Sequence, residues 1–172
     1  LRLIFDKEYD IINEVTKEFP TEFIVQHSSN KQKKKATKKE KKGKSVEMYS
    51  YTIDEIIENN DGTITMMAEQ YYMYTTTTTS SNGSTSTTYH YIYGNIVLVK
   101  FDEEGQVDWM ELIPKRQHST NDGGYYSSYA FMQLTNGNLV LVFNDNPKNS
   151  YYEKSGNFYS WVPNKKKTDV VL

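Results

Sequence analysis

The segment TITMMAEQYYMYTTTTTSSNGSTSTTYHYIYGNIVLVKF, residues 63–101, decides the fold class of this chain. It holds two stretches rich in Tyr, Thr, Ile and Val, residue types that favour β-strands, on either side of Asn82-Gly83. An Asn-Gly pair tolerates the positive φ angles that a tight type I′ turn requires. The segment therefore predicts a long β-hairpin with strands over residues 63–81 and 84–101.

The register of this hairpin follows from the length of its loop. A two-residue loop at Asn82-Gly83 places Ser81 opposite Ser84. The tyrosine pairs that result are Tyr74 with Tyr91 and Tyr72 with Tyr93. One face of the predicted hairpin is then a ladder of tyrosines, and the other face, which carries Glu69, is largely aliphatic.

A second Asn-Gly pair, Asn136-Gly137, predicts another hairpin, in which Leu134 is opposite Leu139 and Phe131 is opposite Val142. Turn residues elsewhere divide the chain into further short strands. The predicted strands cover residues 1–5, 11–15, 51–57, 63–74, 89–101, 107–113, 129–134 and 139–143. Apart from a short turn within residues 53–57 and transient helix in a Lys-rich run, no stretch favours a helix.

These strands form a repeat of four antiparallel strands, the unit from which β-propeller blades are built. Residues 46–117 make one complete blade with a long Thr- and Ser-rich hairpin at 75–88, and residues 118–172 begin the next blade. Residues 1–26 are the last hairpin of a preceding blade, and residues 27–45 are a flexible Lys-rich insertion. The fold class expected is all-β, an incomplete β-propeller. Because the chain starts at Leu1 and ends as a strand begins, we expect the rest of its protein to be absent.

Composition limits the function classes. The chain has 172 residues and a net charge of −2, but residues 31–44 hold nine Lys and one Glu, so the remainder carries −10. An acidic body makes nucleic-acid binding unlikely, because phosphates require a basic surface. There is no Cys, which excludes disulfides and thiolate chemistry. No apolar run is long enough for a transmembrane helix.

Six short blocks carry a resemblance to a protein family. They are NDG at 60–62, AEQYY at 68–72, GNIVLV at 94–99, IPKRQ at 113–117, NDGGYYSS at 121–128 and FNDN at 143–146. Together they resemble uncharacterised bacterial exported proteins with propeller-like repeats, which are typically much longer. The resemblance covers residues 46–148 and implies export to the periplasm or the cell surface. It carries no catalytic residue and no cofactor.

The Lys-rich run is a candidate anion site for nucleic acid, an anionic polymer or a lipid surface. The lysines concerned are Lys33, Lys34, Lys35, Lys38 and Lys39. The alternative is a solvated loop whose charges repel one another. The hairpin at 75–88 is either an arm that touches a partner or a polar ribbon, and Asn82-Gly83-Ser84 fits an N-glycosylation sequon.

Aromatic side chains are the candidate ligand contacts, since sugar rings stack their C–H faces on aromatic rings. The four candidates are Tyr72, Tyr74, Tyr91 and Tyr93. The alternative is ordinary packing within the sheet. Glu69 is either a functional acid or, as we favour, the partner of a cation such as Lys115 or Arg116, or a residue at a blade edge.

Metal binding is expected to be absent, with one weak exception. Asn144, Asp145 and Asn146, with Asn149, offer oxygens of the kind that Ca²⁺ prefers, but the alternative is turn capping before Pro147. The three histidines, at positions 27, 90 and 118, show no spacing typical of a metal site.

The function expected is a non-catalytic binding or scaffold module that contacts a protein or glycan partner. The alternative is part of a carbohydrate-active enzyme whose site is completed by absent blades. An enzyme of this kind needs two facing carboxylates, so a cluster built from Glu69, Asp108 or Asp145 would favour it. A third hypothesis is anion binding through the Lys-rich run, which would be strongly salt-dependent.

Overall fold

The computed structural model describes residues 2–5, 7–15, 18–26, 30–44, 46–151, 158–163 and 169–171. Within these residues the strands are β1 Arg2–Phe5, β2 Ile11–Val15, β3 Tyr51–Glu58, β4 Ile64–Thr79, β5 Thr85–Phe101, β6 Val107–Ile113, β7 Gln117–Thr120, β8 Tyr129–Gln133, β9 Leu139–Asp145 and β10 Asp169–Val171. The helices are α1 Thr21–Ile24, α2 Asn30–Glu40 and a 3₁₀ helix at Pro147–Tyr151. The prediction of a mostly β, antiparallel chain is confirmed.

The strands form three sheets. β1 pairs with β2, β8 and β10 flank β9, and the largest sheet has the order β3-β4-β5-β6 with β7 also on β5. The chain divides into two compact units. The first comprises Leu1–Tyr49, Glu55–Met67 and Val97–Leu112, and the second comprises Ser50–Asp54, Ala68–Ile96 and Ile113–Leu172.

Four hairpin turns in the two units share one geometry. In the turn after β4, the Gly83 N–H donates to Ser80 O and the Ser80 N–H donates to Ser84 O, both at 2.9 Å. Gly83 has φ +84°. This is a three-residue loop: a type I turn followed by a left-handed glycine. The same pattern recurs at residues 59–63, 102–106 and 134–138, each with its glycine at positive φ.

The predicted register of the long hairpin is therefore wrong by one residue. Because Ser84 lies opposite Ser80 rather than Ser81, every later pair shifts with it. The Tyr71 and Tyr93 rings are 4.7 Å apart, and Tyr74 stacks on His90 at 4.5 Å. An Asn-Gly pair typically indicates a two-residue loop but also fits a three-residue loop with its Gly in the left-handed position, so the pair alone does not set the register.

The predicted register of the second hairpin is also wrong by one residue. Tyr129 pairs with Phe143, Phe131 with Leu141 and Gln133 with Leu139, so Leu134 is not opposite Leu139 as predicted. Since side chains alternate between the faces of a strand, a slip of one residue exchanges the faces. The prediction located both hairpins correctly and assigned the wrong partners across each.

The Lys-rich run forms helix α2, where the sequence favoured a loop. Lys, Gln, Ala and Glu are good helix formers, and α2 consists almost entirely of them. Ala36 is buried, while Lys34, Lys35 and Lys38 are exposed. One small apolar side chain therefore orients a helix that is otherwise polar.

The buried residues differ between the two units. Those of the first unit are nearly all apolar: Ala36, Met67, Val97, Leu98, Val99 and Leu112, with Thr65 as the polar exception. The second unit buries Ala68, Ile92, Ile96, Phe143 and Trp161, but also six polar residues: Glu69, Lys115, Gln117, Ser119, Asp145 and Asn149. The second unit therefore has a mixed core, and its polar groups need partners.

Candidate functional site

A buried ion pair lies in the core of the second unit. The Lys115 Nζ is 2.5 Å from Glu69 Oε1, and the two side chains are 0% and 5% exposed. Lys115 Nζ also donates to Gln117 Oε1 at 3.0 Å and lies 5.7 Å from the centre of the Tyr93 ring. The hypothesis that Glu69 pairs with Lys115 is confirmed.

Ser128 and Gln117 close a ring of hydrogen bonds around this ion pair. Ser128 Oγ donates to Glu69 Oε2 at 2.7 Å, and the Ser128 N–H donates to Gln117 Oε1 at 2.6 Å. Gln117 Nε2 donates to the carbonyl oxygens of Ser128, at 3.2 Å, and Asn144, at 2.9 Å. We call Glu69, Lys115, Gln117 and Ser128 the polar cluster. Ser128 has φ +72°, which a non-glycine residue rarely adopts, and three of its groups bond within the cluster.

An interruption between β6 and β7 brings Lys115 into the core. Asp102 lies opposite Gln106 at the start of β6, and continuing that register would pair Tyr93 with Lys115. Tyr93 pairs with Gln117 instead, so two extra residues are accommodated near Pro114. The Lys115 N–H, displaced from the ladder, donates to Asn95 Oδ1 at 3.2 Å.

The electrostatics of the polar cluster are those of a closed ion pair. Burial lowers the pKa of Lys115 below its ordinary value, and the Glu69 carboxylate opposes that shift. Both charged groups are enclosed by protein, so each is the compensating charge of the other. Asp145, also buried, accepts from the Asn146 N–H at 2.8 Å and from Asn149 Nδ2 at 2.7 Å. Asp108, another carboxylate named for a possible enzyme site, belongs to the first unit and lies 4.0 Å from Lys100.

The candidate Ca²⁺ oxygens are engaged by the chain itself. Asn146 Oδ1 accepts from the Lys148 N–H, and Asn149 Oδ1 accepts from the Tyr159 N–H at 2.9 Å. Asn144 instead donates from Nδ2 to Tyr126 O at 3.0 Å. Within the described ranges, no group of three His, Asp or Glu side chains is placed to hold a metal ion. These Asx side chains fasten residues 158–160 to the end of β9.

The candidate anion-contact lysines all lie on α2, in the first unit. Lys34, Lys35 and Lys38 are exposed, whereas Lys33 and Lys39 are half-buried. Lys39 Nζ lies 5.9 Å from the centre of the Tyr49 ring. The helix thus presents three of the five lysines to solvent.

The four candidate tyrosines do not share one face. With Ser80 opposite Ser84, Tyr91 and Tyr93 lie on the same face as Tyr71, whereas Tyr72 and Tyr74 lie on the opposite face with His90. The predicted single platform is therefore two smaller ones, one on each side of the hairpin.

We call residues 71–91 the arm. Its residues 71–87 are all exposed. The large side chains Tyr71, Tyr72, Met73, Tyr74 and Tyr89 are 37–49% exposed. Between Glu69 and Lys100 the sequence contains no Asp, Glu, Lys or Arg. The arm is thus an ordered hairpin with aromatic and hydroxyl groups on both faces and without formal charge.

A loop over residues 121–128 connects β7 to β8 and packs on the base of the arm. A Cβ at Gly124, which has φ +74°, would lie 2.7 Å from the Tyr93 ring, so this glycine permits the close approach. The Gly124 N–H donates to Asp122 Oδ1 at 2.9 Å. Beside it, Tyr125 and Tyr126 are exposed and meet edge to face at 5.1 Å. The loop adds two tyrosines to the aromatic surface of the second unit.

The structure brings together a histidine pair that no sequence pattern indicated. His90 Nδ1 and His118 Nε2 are 3.0 Å apart, and His90 Nε2 is 2.8 Å from Thr76 Oγ1. The two histidines lie 28 positions apart in the sequence. Only the pairing of β7 with β5 makes them neighbours, and a strand as short as Gln117–Thr120 has no distinct sequence pattern.

Two further findings concern the chain as a whole. Among the described residues, no helix is both long and apolar enough to cross a membrane. Comparison with protein-family models, with curated proteins and with solved structures finds no match. Function is therefore inferred from the geometry of the chain itself.

Proposed function

We propose that this chain is a non-catalytic binding module, part of an exported, propeller-like bacterial protein, and that its arm binds a neutral glycan. The observation that carries the proposal is the arm itself: an ordered hairpin, exposed on both faces, with no formally charged residue. Exposed aromatic clusters on a folded domain mark interaction sites. Export and the propeller architecture rest on the resemblance of the sequence blocks.

The composition of the arm favours a glycan over a protein partner. Protein interfaces are enriched in Tyr, Trp, Met and Arg and depleted in Ser. The arm combines exposed Tyr with Ser and Thr at every position from 75 to 88 except Asn82 and Gly83. Tyrosine rings offer stacking surfaces and the adjacent hydroxyls offer hydrogen bonds, which is the chemistry that a neutral sugar polymer requires.

Because the arm carries no formal charge, glycan binding by the arm can be distinguished by experiment from anion binding by α2. Attraction between lysines and an anionic polymer falls steeply as salt rises. Stacking of neutral sugars on tyrosine does not depend on counterion release. Binding by the arm should therefore persist at 0.5 M NaCl.

The test is affinity electrophoresis against neutral polysaccharides (starch, xyloglucan, mixed-linkage β-glucan) and the anionic polymer alginate. Each face is altered separately, with Tyr72→Thr/Tyr74→Thr on one side and Tyr71→Thr/Tyr89→Thr on the other, because Thr retains the β-strand preference. We expect wild-type retardation in at least one neutral gel, and loss of it in one or both double variants.

The matched control is Tyr9→Thr, since Tyr9 is 86% exposed and belongs to the first unit. It should leave retardation unchanged. Failure of the wild type to bind any neutral polymer, or wild-type retardation of both arm variants, would contradict the proposal. Retardation in alginate alone, abolished by Lys34→Gln/Lys38→Gln, would assign the activity to α2.

A further inference from the structure

Helix α2, in the first unit, turns one side to the protein and the opposite side to solvent. Ala36 is only 6% exposed, so it marks the side that faces inward. At about 100° per residue, Lys34 and Lys38 lie about 160° around the helix from Ala36, whereas Lys33 and Lys39 lie only about 60° from it. The first two side chains are exposed and the other two are half-buried, as these angles require. The position of Ala36 therefore explains which lysines reach solvent.

The helical turn continues one step beyond α2 before it is closed. The Lys41 N–H donates to Thr37 O at 3.0 Å, and Gly43, with φ +64°, follows. A left-handed glycine of this kind commonly ends a helix. Among the described side chains, five exposed lysines lie more than about 90° around the helix from Ala36. We call these five lysines the basic face: Lys34, Lys35, Lys38, Lys41 and Lys42.

The charges of the basic face are not compensated within the helix. Residues 31–44 contain one acidic residue, Glu40, and the residues three and four positions before it are Thr37 and Ala36. Lys34 and Lys38 lie four positions apart, and like charges at this spacing destabilise a helix. Among the described residues, no ion pair includes a lysine of the basic face. An anionic partner would therefore relieve a repulsion that the fold leaves in place.

The residue types of this segment favour an extended array of anions over a single anionic group. Residues 30–44 contain no Arg and no aromatic residue. Lysine acts as a point charge, without the bidentate geometry by which Arg recognises one phosphate or carboxylate. The bases of a single-stranded nucleic acid would find no ring on which to stack. Because the basic face points to one side of a docked helix, a plane of anions can contact all five lysines at once, and an anionic bilayer presents such a plane.

We propose that α2 docks on an anionic phospholipid bilayer, with the basic face against the lipid phosphates. The basic face contains no apolar residue, so α2 lies among the headgroups and does not insert into the acyl chains. The chain outside residues 31–44 carries −10, and the same surface repels it, so α2 is the part of the protein that makes contact. This docking is independent of the glycan binding proposed for the arm.

The test is cosedimentation of the full chain with phosphatidylcholine vesicles, prepared with and without about one-third phosphatidylglycerol. We expect binding only to the vesicles that contain phosphatidylglycerol, and release of the protein at 0.5 M NaCl because salt screens the attraction. Each lysine near an anionic surface tightens binding about fivefold, so Lys34→Gln/Lys38→Gln should weaken it about 25-fold. Glutamine keeps the helix preference of lysine, which separates loss of charge from loss of the helix.

The matched control is Lys7→Gln/Lys148→Gln, which removes the same charge from exposed positions outside α2. It should weaken vesicle binding no more than about twofold, because those lysines contact no headgroup and their charge is screened. The arm variant Tyr72→Thr/Tyr74→Thr should bind vesicles like the wild type, so failure of either proposal leaves the other intact.

Four results would overturn the docking of α2 on a bilayer. They are no binding to the anionic vesicles, equal binding to vesicles of phosphatidylcholine alone, equal losses in the α2 variant and its control, and tighter binding to alginate than to vesicles at the same concentration of anionic groups. The last result would assign the basic face to an anionic polysaccharide instead.

Discussion

The arm and the polar cluster lie in the same unit and use polar groups in opposite ways. In the polar cluster, one Lys, one Glu, one Gln and one Ser satisfy each other inside protein, and Lys115 is only 1% exposed. In the arm, 15 exposed Tyr, Ser and Thr side chains face solvent and carry no formal charge. A buried charge has one geometry that satisfies it, whereas an exposed hydroxyl accepts many partners. The cluster thus satisfies its polar groups within the protein, whereas the arm presents its polar groups to solvent.

The largest loss of stability is expected from a substitution in the polar cluster. Lys115→Met leaves the Glu69 carboxylate buried with Ser128 as its remaining partner, and breaking a buried ion pair in this way costs about 3–5 kcal/mol. The free energy of unfolding should fall by that amount, measured by urea titration followed by circular dichroism.

Lys100→Met is the matched control for that substitution. Lys100 lies 3.9 Å from Asp61 and 4.0 Å from Asp108, and those carboxylates are largely exposed. Its loss should cost less than about 1 kcal/mol. Glu69→Leu/Lys115→Met should be milder than Lys115→Met, because no buried charge is left unpaired. If Lys115→Met and Lys100→Met lowered the free energy of unfolding equally, the buried polar cluster would be no more important to stability than a surface ion pair, and the prediction would be wrong.

The next largest loss of stability is expected from substitutions in the loop over residues 121–128, which packs on the base of the arm. Gly124 and its neighbour Gly123 both have positive φ, +74° and +69°. A methyl group at Gly124 meets the Tyr93 ring, whereas nothing lies within 4 Å of one at Gly123. Gly123→Ala should cost about 1–2 kcal/mol through backbone strain, and Gly124→Ala about 1–3 kcal/mol more through overpacking. Thermal unfolding of the two variants measures the difference, and indistinguishable midpoints would mean that Tyr93 moves aside freely.

A pH-dependent effect arises from Tyr51 in the second unit. Burial raises the pKa of Tyr51 from 10.0 to about 12, against the opposing hydrogen bond with Asn95. Between pH 10 and 12 the unfolded chain loses this proton and the folded chain keeps it, so stability falls as pH rises. Allowing for partial exposure, Tyr51 should account for about 1–2 kcal/mol of that loss. In urea titrations at pH 8 and pH 11.5, Tyr51→Phe should lose less stability than the wild type, and identical losses would contradict this assignment.

The smallest effect is expected in the arm. Thr77 and Thr87 face each other across it with their hydroxyl oxygens 3.4 Å apart, and both are exposed. Thr77→Val keeps the β-branched shape and should change the free energy of unfolding by no more than about 0.5 kcal/mol. A loss above 1 kcal/mol in urea titration would show that the arm's hydroxyls hold the fold together, and the contrast with the polar cluster would fail.

Much of the fold could be predicted because strand preference and turn residues are local properties. Asn82-Gly83 and Asn136-Gly137 locate two hairpins in the sequence, and both are present. Their registers were wrong because the choice between a two- and a three-residue loop depends on how the strands twist and pack, which no short motif records. Helix α2 was predicted only as transient helix, because a run of lysines has strong helix propensity but almost no apolar period.

The candidate site was predictable only where one residue implied its partner. A carboxylate on an apolar face requires a cation, and so Glu69 pointed to Lys115. The other site residues are Gln117, Ser128 and His118. Their positions depend on the irregularity at Pro114 and on the β5–β7 pairing. Both are tertiary features, and the sequence contains no periodic signal for them.

The repeated three-residue turns have a consequence for how such a chain can evolve. Since strand faces exchange with every single-residue shift, these exposed loops tolerate changes of residue type far better than changes of length. At residues 134–138, inserting one codon would turn the inward side chains of β9 outward, although every inserted atom would lie in solvent. In the tip of the arm, where Thr and Ser occupy both faces, the same insertion would exchange one hydroxyl for another. Length variation among relatives should therefore concentrate at the tip of the arm and be rare at the other three turns.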